Sequence, residues 1–301
     1  MEKHEILSNK IKNIKTGLSE GPAPQFSHGG QRGGDTVRLT QGQYMSAPEW
    51  AELNPTDKHL ARIIAHARAL RDPVFSHRSA AIIHGIQTLS IPDKLQVLGS
   101  GGATNSGLQY RQDEPSHRAT ILTGPGGLRV VDPVTATIGS VRDTDFAEAM
   151  VIAESALRSF PELTHTELYD SLMAVRRSRG SKNAHRVAAA MSPLSASPAE
   201  TLARVALLNL GLEPVQQYQI STPLQTFRVG AALVEHGVVV EVVGAPGHAP
   251  PQDVSPQDTP AQKAREEAIR GEGWDFVHLT WADVRYRPDA VERKLHRKGV
   301  I

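Results

Sequence analysis

The apolar periodicity of this 301-residue chain points to a mixed α/β protein of two domains. A helical domain with a small sheet is followed by a domain with the element order α-β-β-β-α-β-α. Three observations carry this reading. Leu60, Ile63, Ile64, Ala67 and Leu70 repeat at the spacing of one apolar helix face. Val238 to Val243 form a valine-rich run directly after Glu235-His236-Gly237, which reads as a hairpin turn. Between them, Ser192-Pro193-Leu194-Ser195-Ala196-Ser197-Pro198 has the composition of a linker.

Residues 1–45 contain a short basic opening, Lys10, Lys12 and Lys15, then Gly21-Pro22-Ala23-Pro24 and the Gly/Gln segment Gly29 to Gly34. Such a stretch buries little apolar surface, so a flexible arm is expected there. Residues 46–192 form the middle domain. The expected elements are a helix capped at Thr56 or Asp57, a short helix from Ser76 stopped at Gly85, and strands at 95–98, 119–122 and 128–131. Helices at 134–141, 145–158, 166–177 and 182–191 follow. Residues 193–301 form the last domain. Ser197, Pro198 and Glu200 open a helix as a capping box, Gly211 stops it, and strands at 215–220, 225–234 and 238–243 follow. A helix at 259–270, a strand at 275–280 and a helix at 288–297 complete the order.

Composition excludes several classes. There are no cysteines, so disulfides, thiolate zinc sites and a cysteine nucleophile are ruled out. The longest apolar run falls far short of the roughly 20 residues that span a bilayer, and no apolar leader segment opens the chain, so a cytoplasmic protein is expected. The net charge of +1 leaves nucleic-acid contact to a local patch. With six Phe, five Tyr and three Trp, a stacking platform for single strands is not expected.

Glu241 interrupts the valine run. A carboxylate in a buried strand needs a cation partner or an opening to a site. Glu241 either sits at the solvated end of the strand or pairs with Arg228 or Lys263; alternatively it is the glutamate of a metal-dependent nuclease core. A second feature is Arg176-Arg177-Ser178-Arg179-Gly180-Ser181-Lys182-Asn183-Ala184-His185-Arg186, with five Lys or Arg and no acid. Arg176, Arg177, Arg179, Lys182 and Arg186 are candidate DNA-phosphate contacts, and a solvated helix end is the alternative. The looser basic group Arg285, Arg287, Arg293, Lys294, Arg297 and Lys298 reads as a solvated face. His77 and His84 stand about 10 Å apart along a helix and suit core or cap roles better than one metal ion.

Several short motifs together carry a resemblance. They are Ser197-Pro-Ala-Glu200, Gly211-Leu-Glu-Pro214-Val-Gln216, Arg228-Val-Gly230, Val240-Glu241-Val-Val-Gly244 and Gly273-Trp274-Asp-Phe-Val-His-Leu-Thr280-Trp281-Ala-Asp283. Upstream stand Phe75-Ser-His77-Arg-Ser79-Ala-Ala-Ile-Ile-His84-Gly85 and Gly127-Leu-Arg-Val-Val-Asp132-Pro133-Val-Thr135-Ala-Thr137. Across residues 38–298 the chain resembles actinobacterial AbiEi-type antitoxin-like proteins. These carry a C-terminal restriction-endonuclease-like domain related to the very-short-patch-repair endonucleases. Glu241 and Glu200 then correspond to relic catalytic positions. Where the family reads Arg-Val-Asp this chain has Arg228-Val229-Gly230, and where it reads Glu-x-Asp-Gly it has Glu241-Val242-Val243-Gly244. The family's N-terminal winged helix is expected to be truncated or absent, because only 37 residues precede Arg38.

The resemblance implies a non-catalytic regulatory protein of the toxin–antitoxin class. It would bind a cognate toxin, another protein or DNA, with no cofactor and no resident metal. Two alternatives stay open. One is a divergent Mg²⁺-dependent DNA endonuclease that recruits acids such as Asp253 or Asp258 and places at least two further carboxylates near Glu241. The other is a structural interaction module without DNA affinity.

Overall fold

The computed structural model describes residues 2–13, 36–100, 107–112, 118–176, 179–243 and 259–301. The chain divides into two compact units, Met1–Ala190 and Met191–Ile301.

The first unit opens with α1 (Glu2–Lys10) and β1 (Lys12–Asn13), followed by β2 (Thr36–Thr40) and β3 (Gln43–Ser46). The strands form an antiparallel sheet in the order β1-β3-β2. The expectation of a flexible arm to residue 45 is therefore corrected for residues 2–13 and 36–45. Leu7 and Ile11 are four residues apart, and both are buried with Leu39, Met45, Leu60 and Ile63. Arg68 fixes this opening further by donating to Ile11 O at 3.0 Å and Ser8 O at 2.8 Å. Residues 14–35 lie outside the described residues.

Next come α2 (Ala47–Glu52) and α3 (Pro55–Ala69). The α3 cap is Asn54, whose side chain accepts from Asp57 N at 2.9 Å, upstream of the Thr56 or Asp57 expected from sequence. After α4 (His77–Ile83), β4 (Leu95–Leu98) pairs in parallel with β5 (Leu108–Arg111), and β6 (Ile121–Thr123) pairs antiparallel with β7 (Arg129–Val131). Fully buried Phe75 bridges both ribbons, at Val97 and at Val130. Four helices complete the unit: α5 (Pro133–Asp143), α6 (Phe146–Ser159), α7 (His165–Met173) and α8 (Ser181–Ala190). Side chains of Asp132, Asp145 and Thr164 cap the first three.

Buried His59 gives this unit an acid sensitivity. Its Nε2 lies 2.9 Å from Ser79 Oγ. Burial, with Arg62 and Arg78 nearby, pushes its pKa down to about 4. The folded state thus binds fewer protons than the unfolded chain, so this contribution to stability is present above pH 6.5 and is lost as pH falls from there toward 4. By pH 5 the loss is expected to reach about 2 kcal/mol. Urea midpoints at pH 7 and pH 5 check this. The His59→Gln variant should show a smaller drop than the wild type, and an equal drop would contradict the assignment.

The second unit contains α9 (Pro198–Asn209), β8 (Val215–Ser221), β9 (Thr226–Leu233), β10 (Val238–Val243), α10 (Pro260–Gly271), β11 (Asp275–Thr280), α11 (Trp281–Tyr286) and α12 (Pro288–His296). The sheet order is β11-β10-β9-β8. The three meander strands are antiparallel, and β11 joins β10 in parallel through the crossover helix α10. Gly237, at φ +60°, turns the hairpin between β9 and β10. Alternation along β10 divides the core. Val238 and Val240 pack with Leu207, Leu279, Val291 and Leu295, whereas Val239 packs with Ile269 and Phe276. Among the described residues, no helix is long and apolar enough to cross a membrane.

Candidate functional site

By the same alternation, Glu241 projects to the face that carries Val239, the side on which α10 supplies Ile269. The parallel register sets His278 of β11 directly beside Glu241. One turn before Ile269, α10 brings Glu266 to the same place. Ligand-type atoms of Glu241, Glu266 and His278 all lie within 4.8 Å of one another.

Guanidinium groups close the charges of this cluster. Arg265 donates to Glu241 Oε1 at 2.8 Å, and both side chains are about four-fifths buried, at 21% and 19% exposure. Arg270 donates to Glu266 Oε2 at 2.8 Å, and Gln262 donates to its Oε1 at 3.3 Å. Burial alone would raise the Glu266 pKa, but the Gln262 hydrogen bond, His278 and Arg270 together hold it below the usual carboxylate value. His278 Nε2 stands 3.2 Å from Glu266 Oε1, which is ion-pair range but out of line for a hydrogen bond. The His278 ring stacks on Phe276 at 5.6 Å, and Arg270 lies over the opposite partner of that stack, the Phe276 ring, at 4.9 Å.

Arg228 and Lys263 are the partners the sequence suggests for Glu241, and the structure pairs it with Arg265. Arg228 donates to Gln217 Oε1 at 2.6 Å. Helical spacing explains the choice: 262, 266 and 270 form an i, i+4 ladder along one stripe of α10, and Arg265 flanks it toward β10. The endonuclease alternative required two further carboxylates beside Glu241. Among the described residues the cluster holds one, Glu266, and a histidine. Asp253, Asp258 and Gly244 lie outside the described residues.

Glu200 does not join this cluster through any described contact. Ser197 Oγ accepts from Glu200 N at 3.3 Å, as half of a capping box. The Glu200 carboxylate, however, accepts from Ala196 N at 2.8 Å instead of closing the box on Ser197. It also borders β9: a β-carbon on Gly230 would lie 3.9 Å from Glu200 Cδ. An aspartate at 230 would therefore stand beside Glu200, and glycine leaves that position without an oxygen donor. Val243 shares the Glu241 face and adds an apolar group to it.

These residues do not fit Mg²⁺. The ion favours six oxygen ligands in near-octahedral geometry. Here one available donor is an imidazole nitrogen, and both carboxylates are engaged by arginines.

The basic candidates belong to the first unit. Arg176, Arg179, Lys182 and Arg186 are exposed, and Arg177 lies outside the described residues. The Arg186 guanidinium covers the Phe146 ring at 3.6 Å. In the second unit, the basic group near the C-terminus proves partly structural: Lys294 donates to Asp283 Oδ2 at 2.8 Å and His278 O at 2.7 Å, and Lys298 to Asp275 Oδ2 at 2.7 Å. His84 bonds Val131 O at 2.7 Å. His77 adopts φ +50°, and its ring presses so close to Gly139 that a β-carbon there would stand 2.9 Å away. Burial, against an opposing pull from Asp143, lowers the His77 pKa to about 4.

Sequence reasoning missed Arg265, Glu266, Arg270 and His278 as a group. The signals were present as the Gln262-Glu266-Arg270 ladder and as a polar residue, His278, in the apolar middle of the strand on the Phe276 face. Comparison with known proteins finds no matching family model, curated protein or solved structure.

Proposed function

We propose that this chain is a non-catalytic regulatory protein of the antitoxin-like class, in which a degenerate restriction-endonuclease-like domain serves as a binding scaffold for DNA or a protein partner such as a cognate toxin. The order α9-β8-β9-β10-α10-β11, with an antiparallel meander and a parallel fourth strand, supports the scaffold part of this reading. The observation that carries the non-catalytic part is the pairing of Glu241 with Arg265, with Gly230 and Val243 at the neighbouring acid positions. A guanidinium balances the remaining carboxylate, which removes the electrostatic demand for a cation.

The test is a cleavage assay on plasmid and oligonucleotide duplexes with Mg²⁺ and Mn²⁺. Wild-type protein should leave both substrates intact. Cleavage that disappears in Glu241→Ala would overturn the reading. It would favour a second one, a divergent metal-dependent endonuclease, for which the convergence of Glu241, Glu266 and His278 speaks. That donor set suits Mn²⁺ or Zn²⁺ better than Mg²⁺.

A further inference from the structure

We infer that Arg176 and residues 179–186 form a pre-set phosphate-binding surface for duplex DNA, seated on the C-terminal end of α5, and that Arg142 and Gly180 are the residues that set it. This rests on the DNA-binding part of the function proposed above. Gly180 has φ +83°, and a β-carbon there would stand 2.7 Å from Arg142 Cα and overlap the Arg142 carbonyl oxygen. Only glycine allows the segment to approach α5 this closely.

Side chains then hold the backbone of the segment in place. Arg142 Nε donates to Arg179 O at 3.2 Å. Asn183 Nδ2 donates to Val141 O at 2.7 Å and to Thr144 O at 3.0 Å, fastening the start of α8 to the end of α5. His185 Nε2 donates to Val175 O at 2.9 Å. Ser181 and Ala184 point inward and are buried, while Arg176, Arg179, Lys182 and Arg186 are exposed. A basic run that is merely solvated needs no such anchoring. An array of cations at fixed positions complements a regular row of phosphates, because less side-chain and loop entropy is lost on binding.

The composition of the surface selects among anionic partners. Residues 176–186 contain no acid, and among the described residues of the segment none is an exposed apolar side chain. An acidic protein partner would bring apolar groups that need an apolar counterpart at the interface centre. The segment also has no Phe, Tyr or Trp on which unpaired bases would stack, which favours duplex over single-stranded DNA.

Fluorescence anisotropy with a labelled duplex of arbitrary sequence, titrated at several salt concentrations between about 50 and 200 mM, tests this. The wild type should bind with an affinity that falls steeply with salt. Arg179→Gln/Lys182→Gln changes only exposed side chains, so folding is retained. It should lower the slope of log affinity against log salt by about two and weaken low-salt binding at least about tenfold. Gly180→Ala removes no charge, yet should weaken binding about fivefold or more with an unchanged circular dichroism spectrum, because the cations lose their fixed spacing. An unchanged slope in the double variant would overturn the inference, as would a slope that responds to Arg285→Gln/Arg287→Gln in the second unit. In the latter case the regulatory function stands and only its surface is misplaced. No salt-sensitive binding by the wild type also overturns it, and leaves the protein-partner form of the proposed function. Metal-dependent cleavage bears on the proposed function alone.

Discussion

Asp283→Ala is expected to destabilise the second unit by about 3 kcal/mol, a value set by the loss of a cap hydrogen bond together with a buried ion pair. The Asp283 side chain is only 8% exposed. It accepts from Thr280 N at 2.8 Å as one half of a capping box, and Thr280 Oγ1 accepts from Asp283 N at 3.1 Å as the other. The same carboxylate receives Lys294 Nζ at 2.8 Å, which ties α12 to the start of α11. Burial by itself would raise the Asp283 pKa. The hydrogen bonds from Lys294 and Thr280, with the Lys294 charge, outweigh it and hold the group at about 2. A carboxylate depressed in the folded state contributes stability that is fully present above the unfolded value near 4. That contribution is lost as pH falls from there through about 2. Chemical denaturation at pH 7 and pH 3 should therefore show the wild type losing stability on acidification, with Asp283→Ala losing less because its deficit is already present. A variant within about 0.5 kcal/mol of wild type at pH 7 would contradict this role.

Arg265→Ala is expected to cost about 2 to 3 kcal/mol, less than for a fully buried pair because Arg265 and Glu241 retain 21% and 19% exposure. The origin of the cost is specific. Removing the guanidinium leaves Glu241 partly desolvated beside a second carboxylate, Glu266. Glu241→Gln in the Arg265→Ala background should then recover about half of the loss, since a neutral amide needs no counter-charge there. Guanidinium-chloride midpoints of the two single variants and the double variant form the cycle. Strict additivity would show that the pair is a surface contact without influence on the site.

The parts of this protein that were legible in the sequence are those where one strong local signal sets the structure. The valine run of β10, the Glu235-His236-Gly237 turn and the Ser197-Pro198 helix start all appear where expected. Short or paired elements were not legible. β1 has two residues and exists because β3 lies beside it, and β5 exists through its parallel pairing with β4. α11 spans only six residues, too few for an apolar periodicity, and its Thr280-x-x-Asp283 cap is its one sequence signal. In α1, the pair Leu7 and Ile11 is too brief a pattern to outweigh the polar composition around it. The site divides the same way. Glu241 stands out because a charge in a valine strand is conspicuous. Arg265 does not, because nothing in the sequence distinguishes it from the neighbouring cations, and the crossover of α10 onto the Val239 face of the sheet brings it to Glu241.

Arginines pair with both carboxylates beside residue 241, which on the proposed reading leaves no place for a divalent ion. A crystal soaked in manganese, with an anomalous difference map at the manganese edge, measures this directly. The expected result is no peak beside Glu241 and an intact Arg265–Glu241 ion pair. A peak ligated by Glu241, Glu266 and His278, with Arg265 displaced, would contradict it.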